Sequence, residues 1–452
     1  MTVGALRSRN PLLPLDLHLP DCEARVMPDG RLYLYGSWDQ SESTYCSNQY
    51  QVVSTQDLQE WTRHGESFSS SLVPWAAASR LPTYIESVTG FDALPDAVRS
   101  LLSPETVAAP FEDYVSGLRE QMAGMPPSER LIYAPDAIEK DGRYYLYFCM
   151  SDDSEGVAVS DNPMGPFANP VKIAARGIDP AVFLDDDGQS YYYWGQFTAS
   201  AARLNPDMTS IDESSIVTGI VDVRRHGFHE GSSVRKRNGV YYFVFADESR
   251  GKPTCLGYAT SASPMGPFTY RGVIIDNDGS DPENWNNHGS IAEFGGQWYV
   301  FYHRSSRNTR YMRRVCAEPI AFTDDGLIPE VPMTSQGPGE PFAPSEYIPA
   351  FTACGLGGTA HIAPRQETEC IISTIDGDSA TFRYLRNDDA LSSVRVTTAG
   401  TAQIEVWVDG ALVTSIDASP VARPIDIAPG THEVTFVFRS PTDLEFHGAS
   451  FW

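Results

Sequence analysis

The sequence predicts an all-β chain: a five-bladed β-propeller with a helical insertion in or after blade one, followed by a C-terminal β-sandwich. Three observations lead there. An aromatic strand recurs after a Gly turn, a Pro-Met-Gly-Pro-Phe segment occurs twice, and short alternating strands take over after about residue 340. The aromatic strands are Gly30-Arg-Leu-Tyr-Leu-Tyr, Gly142-Arg-Tyr-Tyr-Leu-Tyr-Phe, Gly188-Gln-Ser-Tyr-Tyr-Tyr-Trp, Gly239-Val-Tyr-Tyr-Phe-Val-Phe and Gly296-Gln-Trp-Tyr-Val-Phe-Tyr. Their glycines are 112, 46, 51 and 57 residues apart, and an extra segment at about 77–130 explains the long first gap. Five strand-rich units of this length read as propeller blades filling residues 1–335.

Each element has its own justification. Val157-Ala-Val-Ser-Asp-Asn-Pro-Met-Gly-Pro-Phe167 is echoed by Tyr258-Ala-Thr-Ser-Ala-Ser-Pro-Met-Gly-Pro-Phe268, so two blades share an outer strand and its turn. In the insertion, Phe111, Tyr114, Val115, Leu118 and Met122 fall on one helical stripe, and Ser103-Pro104-Glu105 has the form of a helix start. The stripe predicts a helical pair that packs on the propeller, walls the site or makes an oligomer contact. Gly337-Pro338-Gly339-Glu340-Pro341 reads as a linker. Residues 342–452 then alternate, as in Ala402-Gln-Ile-Glu-Val-Trp-Val and His432-Glu-Val-Thr-Phe-Val-Phe, with turns at Asp409-Gly410 and Pro429-Gly430. That pattern predicts the β-sandwich.

Composition narrows the function. Hydrophobic residues at 41% against 20% charged supply a packed core. The net charge of −26 repels phosphate backbones and anionic membranes, so nucleic-acid and membrane partners are disfavoured. No stretch of about 18 apolar residues predicts a membrane span. Met1-Thr-Val-Gly-Ala-Leu-Arg7 has no apolar core of a signal peptide, and the seven scattered cysteines form no Cys-x-x-Cys pair. Both features predict a cytoplasmic protein with reduced thiols.

Every blade opens on an ionisable residue ahead of or within its first strand. These are Asp21 in Leu19-Pro-Asp-Cys, Asp136 in Ala134-Pro-Asp-Ala, Asp179 in Ile178-Asp-Pro-Ala, Glu230 in Phe228-His-Glu-Gly and His288 in Asn287-His-Gly-Ser. A propeller's inner strands converge on one axis, so acids in phase can meet there. Such a cluster suits glycoside hydrolysis, in which one carboxyl protonates the leaving group and another activates water. A third carboxylate can hold the acid's proton by like-charge repulsion. Cys22 reads as packing. Asp185-Asp186-Asp187-Gly188 reads as a hairpin turn rather than a calcium loop. Trp75, Trp194, Phe228 and Trp285 read equally as core aromatics or sugar platforms.

In this ordered set the chain resembles glycoside hydrolase family 43 over about residues 9–335. The resemblance implies a five-bladed propeller, inversion at the anomeric carbon, Asp21 as base, Asp179 as pKa modulator and Glu230 as acid. It implies a sugar-contacting Asp136 and an arginine near the modulator, Arg313 or Arg314, with Arg313 preferred; Trp38, Trp194 and Phe228 complete the expected sugar-contacting set. No cofactor is required for the chemistry, but a structural Ca2+ in the central channel beside His288 is allowed for. Two features depart from the family pattern: Trp38 stands where many members carry His, and the insertion is long. The C-terminal part is similar to a family 6 carbohydrate-binding module. The expected activity is an inverting exo-glycosidase releasing terminal L-arabinofuranose from arabino-oligosaccharides, with β-xylosidase and exo-β-1,3-galactanase as alternatives. Fructan hydrolases are disfavoured, because the chain lacks an Asn-Asp-Pro-Asn-Gly start and a Glu-Cys acid motif. A non-catalytic sugar-binding propeller is the rival from another class.

Overall fold

Five glycines at one turn position set the repeat. Gly30, Gly142, Gly188, Gly239 and Gly296 have φ of 78°, 79°, 84°, 79° and 82°, a region open to Gly at no steric cost. In the computed structural model, which describes residues 9–75, 81, 85, 88–94, 96–99, 102–123, 130–366 and 368–452, each of these turns joins a blade's first strand to its aromatic second strand.

Blade one is the antiparallel sheet β1 (Glu23–Val26), β2 (Leu32–Gly36), β3 (Gln49–Thr55) and β4 (Trp61–Ser69). Blade two is β5 (Asp136–Lys140), β6 (Arg143–Cys149), β7 (Ser154–Ser160) and β8 (Ala168–Arg176). Blade three is β9 (Ala181–Leu184), β10 (Ser190–Trp194), β11 (Thr198–Arg203) and β12 (Val217–Asp222). Blade four is β13 (Phe228–Arg237), β14 (Val240–Asp247), β15 (Cys255–Ser261) and β16 (Thr269–Asp276). Blade five is β17 (Ser290–Phe294), β18 (Gln297–Ser306) and β19 (Thr309–Ile320). Residues 10–12 lie along the outer edge of blade five: Leu12 N–H donates to Val315 O at 3.0 Å, and Ala317 N–H donates to Asn10 Oδ1 at 2.9 Å.

The aromatic second strands supply the cores between blades. Tyr33, Tyr35, Tyr147, Tyr192, Tyr193, Tyr242 and Tyr302 are fully buried. Several point a hydroxyl at a backbone carbonyl, as Tyr147 does to Met208 O at 2.8 Å, so each buries a ring without stranding a polar group. All seven cysteines are buried and unpaired.

The insertion between β4 and β5 carries α-helices at Asp96–Arg99, Pro104–Ala108 and Phe111–Ala123. Ser103 caps the second of these by accepting from Thr106 N–H at 3.1 Å. Phe111, Tyr114, Val115 and Leu118 pack on Leu81, Ile85, Phe91 and Leu94, so the apolar stripe closes the insertion on itself. The Met122 side chain and residues 124–129 lie outside the described residues. Arg176 at the end of β8 donates to Leu81 O at 2.6 Å, tying the insertion to blade two.

The C-terminal region is a nine-stranded antiparallel network from β20 (Ile348–Pro349) to β28 (Gly430–Phe451). The 18-residue β25 (Leu391–Val408) and the 22-residue β28 pair along most of their length through three register shifts. They wrap a core that includes Phe382, Phe436, Phe438, Phe446 and Phe451. A buried ion pair between Arg314 of β19 and Glu369 of β23 (Thr368–Ser373) joins this region to blade five.

Candidate active site

At one end of the propeller axis lies a cavity of about 720 Å³, a volume typical of ligand pockets. Asp21, Asp179, Glu230, His288 and Arg313 line it, with aromatic walls from Tyr45, Phe197, Trp285 and Tyr311. Val98 brings the insertion to the same cavity.

Backbone geometry aims each acid. Asp21 and Asp179 both have positive φ, 58° and 54°, two residues ahead of β1 and β9. Asp tolerates this left-handed region better than most residues, and it turns the side chain out of the strand direction. Glu230 sits inside β13, where the pairing with β14 shifts register on both sides of it. Gly231 follows with φ 77°, and a Cβ there would lie 2.9 Å from the His288 ring, so only Gly lets the strand after Glu230 pass this close to His288.

Asp21 is buried but well served. Arg313 Nη1 donates to its Oδ1 at 2.7 Å, and Ser37 Oγ donates to its Oδ2. Burial alone would lift its carboxyl; the Arg313 guanidinium leads the groups that outweigh burial and hold it below the usual carboxylate range. Arg313 is fixed in turn by Asp39, through Nε–H to Oδ2 and Nη2–H to Oδ1, both at 2.9 Å. Among the described residues no guanidinium bonds Asp179. Burial, then the charges of Glu230 and Asp21, push its carboxyl well above the usual range. Glu230 accepts from Gln196 Nε2 at 2.8 Å and Asn286 Nδ2 at 3.3 Å. Its side chain is 14% exposed against 6% for Asp179, so it is the more open of the two to a bound molecule.

Several expectations need correction. Asp136 does not line the cavity. It is fully buried, and Arg25 Nε, Val182 N–H and Ala137 N–H donate to it at 2.9, 2.8 and 2.7 Å, leaving no carboxylate edge for a sugar. Trp194 and Phe228 belong to blade cores, and Trp38 packs beside the core between blades one and five with Arg63 over its ring. Trp75 stacks on Phe148 in a blade core. Of the four aromatics left open, Trp285 faces the cavity, with the Arg310 guanidinium 5.2 Å from its ring centre. The arginine is Arg313; it bonds the expected base, and its charge also reaches the expected modulator. Neighbours on a strand face opposite ways, so Arg314 turns away to Glu369. At Asp185 the chain makes a hairpin turn, and the carboxylate is held by Lys236 and Tyr241.

The channel histidine stands between two carboxylates. His288 Nδ1 faces Asp21 Oδ1 at 3.8 Å and Asp179 Oδ2 at 3.6 Å, and its ring packs on Gly231. Among the described residues no group of three or more His, Cys, Asp or Glu is arranged to hold a metal ion. Two other buried ion pairs, Arg25 with Asp136 and Arg235 with Glu23, tie the innermost strands of blades one, two and four together.

Sequence reasoning missed Ser37, Asp39, His229, Gln196, Asn286 and His303. A period of two in Gly36-Ser37-Trp38-Asp39 was the available signal: Ser37 and Asp39 share the face toward Asp21 and Arg313, and Trp38 takes the other. His303 is fully buried, its Nδ1 is 3.4 Å from Asp21, and burial pushes its imidazole down to about 3, so it stands there neutral.

A five-bladed propeller with one carboxylate held below the usual range and a second pushed well above it in a single axial cavity has the equipment of a glycoside hydrolase. Residues 111–328 match the model of glycosyl hydrolases family 43. The chain is 31% identical over 392 residues to a xylosidase/arabinosidase of Thermoclostridium stercorarium, covering 77% of this chain and 72% of that one. Among solved structures it is similar to a GH43 β-xylosidase/α-arabinofuranosidase from a compost microbial metagenome, in complex with xylotriose. That likeness has TM-score 0.53 and 28% identity, over 72% of this chain and 97% of that one. It is also similar to an arabinoxylan arabinofuranohydrolase of Bacillus subtilis, with TM-score 0.52 and 25% identity over 98% of this chain and 97% of that one. The chain belongs to glycosyl hydrolases family 43 and is a glycosidase.

Proposed function

We propose that the chain is an inverting exo-glycosidase that releases terminal L-arabinofuranose from arabino-oligosaccharides. The observation that carries the mechanism is the opposite treatment of Asp21 and Asp179 in one cavity. Asp21, kept ionised, takes a proton from water as the water attacks the anomeric carbon. The pair Asp179 and Glu230 repel each other when both are charged, which favours one shared proton between them. Glu230, the more exposed of the two, gives that proton to the leaving oxygen, and Asp179 acts through it. The likeness to the Bacillus subtilis arabinofuranohydrolase along both regions supports the choice of sugar. β-Xylosidase activity is the second reading, favoured by the likeness to a protein bound to xylotriose. Seven buried, unpaired thiols support a reducing compartment such as the cytoplasm, with short oligosaccharides as substrates.

A panel of 4-nitrophenyl α-L-arabinofuranoside, β-D-xylopyranoside and β-D-galactopyranoside tests the sugar, with the arabinofuranoside expected to be turned over fastest. Proton NMR of the first product formed tests the stereochemistry. The inverted anomer is expected, and the retained anomer would contradict the mechanism. Binding without turnover on every member would support the non-catalytic reading.

A further inference from the structure

His229 stands directly before Glu230, and the reaction as drawn gives it no part. Its ring is buried and lies edge-on to Phe197, the centroids 4.9 Å apart. Its Nδ1 is 2.7 Å from Glu248 Oε2, and its Nε2 faces Glu230 Oε2 at 3.8 Å. The imidazole thus bridges two carboxylates of blade four, Glu230 within β13 and Glu248 just past the end of β14. The backbone fixes the arrangement: Phe197 N–H donates to His229 O at 2.6 Å, and Glu248 N–H donates to Gly227 O at 2.9 Å.

The charged groups that act on His229 are Glu230 on its own strand and Glu248 after the next. The Phe197 ring packs against it, and the amides of Gln196 and Asn286 hold Glu230 from other sides. Burial would favour a neutral ring, but Glu230 and then Glu248 outweigh it and raise the imidazole above its ordinary value.

We propose that His229, anchored by Glu248, is a positioning residue for Glu230, holding a positive charge beside the carboxylate that remains once the leaving group has been protonated. This rests on the reading of Glu230 as the acid. In that step the Glu230 O–H bond breaks, the proton goes to the glycosidic oxygen, and the electron pair stays on Glu230, facing His229. Asp179 and His229 then act on one carboxyl with opposite sign. The Asp179 anion makes its proton harder to lose, and the His229 cation makes it easier.

The test uses the full-length enzyme and the variants His229→Gln, Glu248→Gln, Asp179→Asn and Glu230→Gln. The first readout is nitrogen-15 NMR of the imidazoles. The His229 ring is expected to titrate above the ordinary value of about 6.5 in the wild type and lower in Glu248→Gln. The second readout is the pH dependence of kcat/KM on an alkyl glycoside. His229→Gln is expected to move the alkaline limb up by roughly one pH unit, and Glu248→Gln by less, whereas Asp179→Asn moves it down. Should His229→Gln fail to fold, Glu248→Gln carries the same test. A ring neutral at pH 6, or a loss of rate equal at all pH with the limb in place, would overturn the proposal. An unmoved limb while Glu230→Gln is inactive overturns this proposal alone. Wild-type turnover in Glu230→Gln overturns the acid assignment, and the proposal with it.

Discussion

Blades one and three open alike and end up differently. Asp21 and Asp179 each stand two residues ahead of an inner strand, each with positive φ and each with at most 5% of its surface exposed. Yet Asp21 is held below the usual carboxylate range and Asp179 well above it. Burial pushes both the same way. The difference is a guanidinium: Arg313 bonds Asp21, while Asp179 faces Glu230 and the rim of an imidazole. Burial makes the charge of a group costly, and the partner decides how much of that cost is offset.

The largest expected effects come from removing one side of this contrast altogether. Glu230→Gln should cost roughly 10²–10⁴ in kcat/KM on alkyl glycosides and much less on activated aryl glycosides, which need little protonation. Equal losses on both would remove Glu230 from the acid's role. Asp21→Asn should lose a similar factor, because the attacking water keeps its proton. Added azide, which needs no base, should restore turnover and give a glycosyl azide of inverted configuration.

Arg313→Gln makes blade one resemble blade three, leaving Asp21 and Asp39 as buried carboxylates without their cation. Removing one partner of a buried pair should destabilise the fold by about 3–5 kcal/mol, measured by denaturant unfolding. The sign in pH follows. With a depressed carboxyl, the stabilisation from Asp21 is full above the unfolded value near 4 and is lost as pH falls through the folded value. Without Arg313 the acid limb of kcat/KM should therefore move up. Arg314→Gln is the control one residue away. It should cost comparable stability by stranding Glu369, and leave both limbs of the pH profile in place. The smallest effect is expected from Trp38→Phe. Its ring lies against a blade core rather than in the cavity, so KM should not change.

Elements set by local chemistry were legible in the sequence. Turn glycines, aromatic strands and the Ser103 cap each need only their neighbours, and they located the blades and the described helices of the insertion. The residues opening the blades were legible because five ionisable groups, four acids and His288, recur in phase. What their side chains meet was not. Asp136 looks like Asp21 in the sequence, but Arg25, on β1 across the blade boundary, consumes its carboxylate. Arg313 and Arg314 differ only in strand parity, which needs the register of β19 to resolve. The Asp39–Arg313 pair spans 274 positions of chain, and Glu248 reaches His229 only because β13 and β14 pair. Partners of this kind leave no mark at short range.

The pH dependence of kcat/KM in Asp179→Asn, set beside the wild type on one alkyl glycoside, tests the central claim most directly. Removing the anion beside Glu230 makes the proton of the acid easier to lose, so the alkaline limb should move to lower pH, while the acid limb, governed by Asp21 and Arg313, stays where it is. An alkaline limb that does not move, or an acid limb that moves in its place, would contradict the division of roles between the two blades.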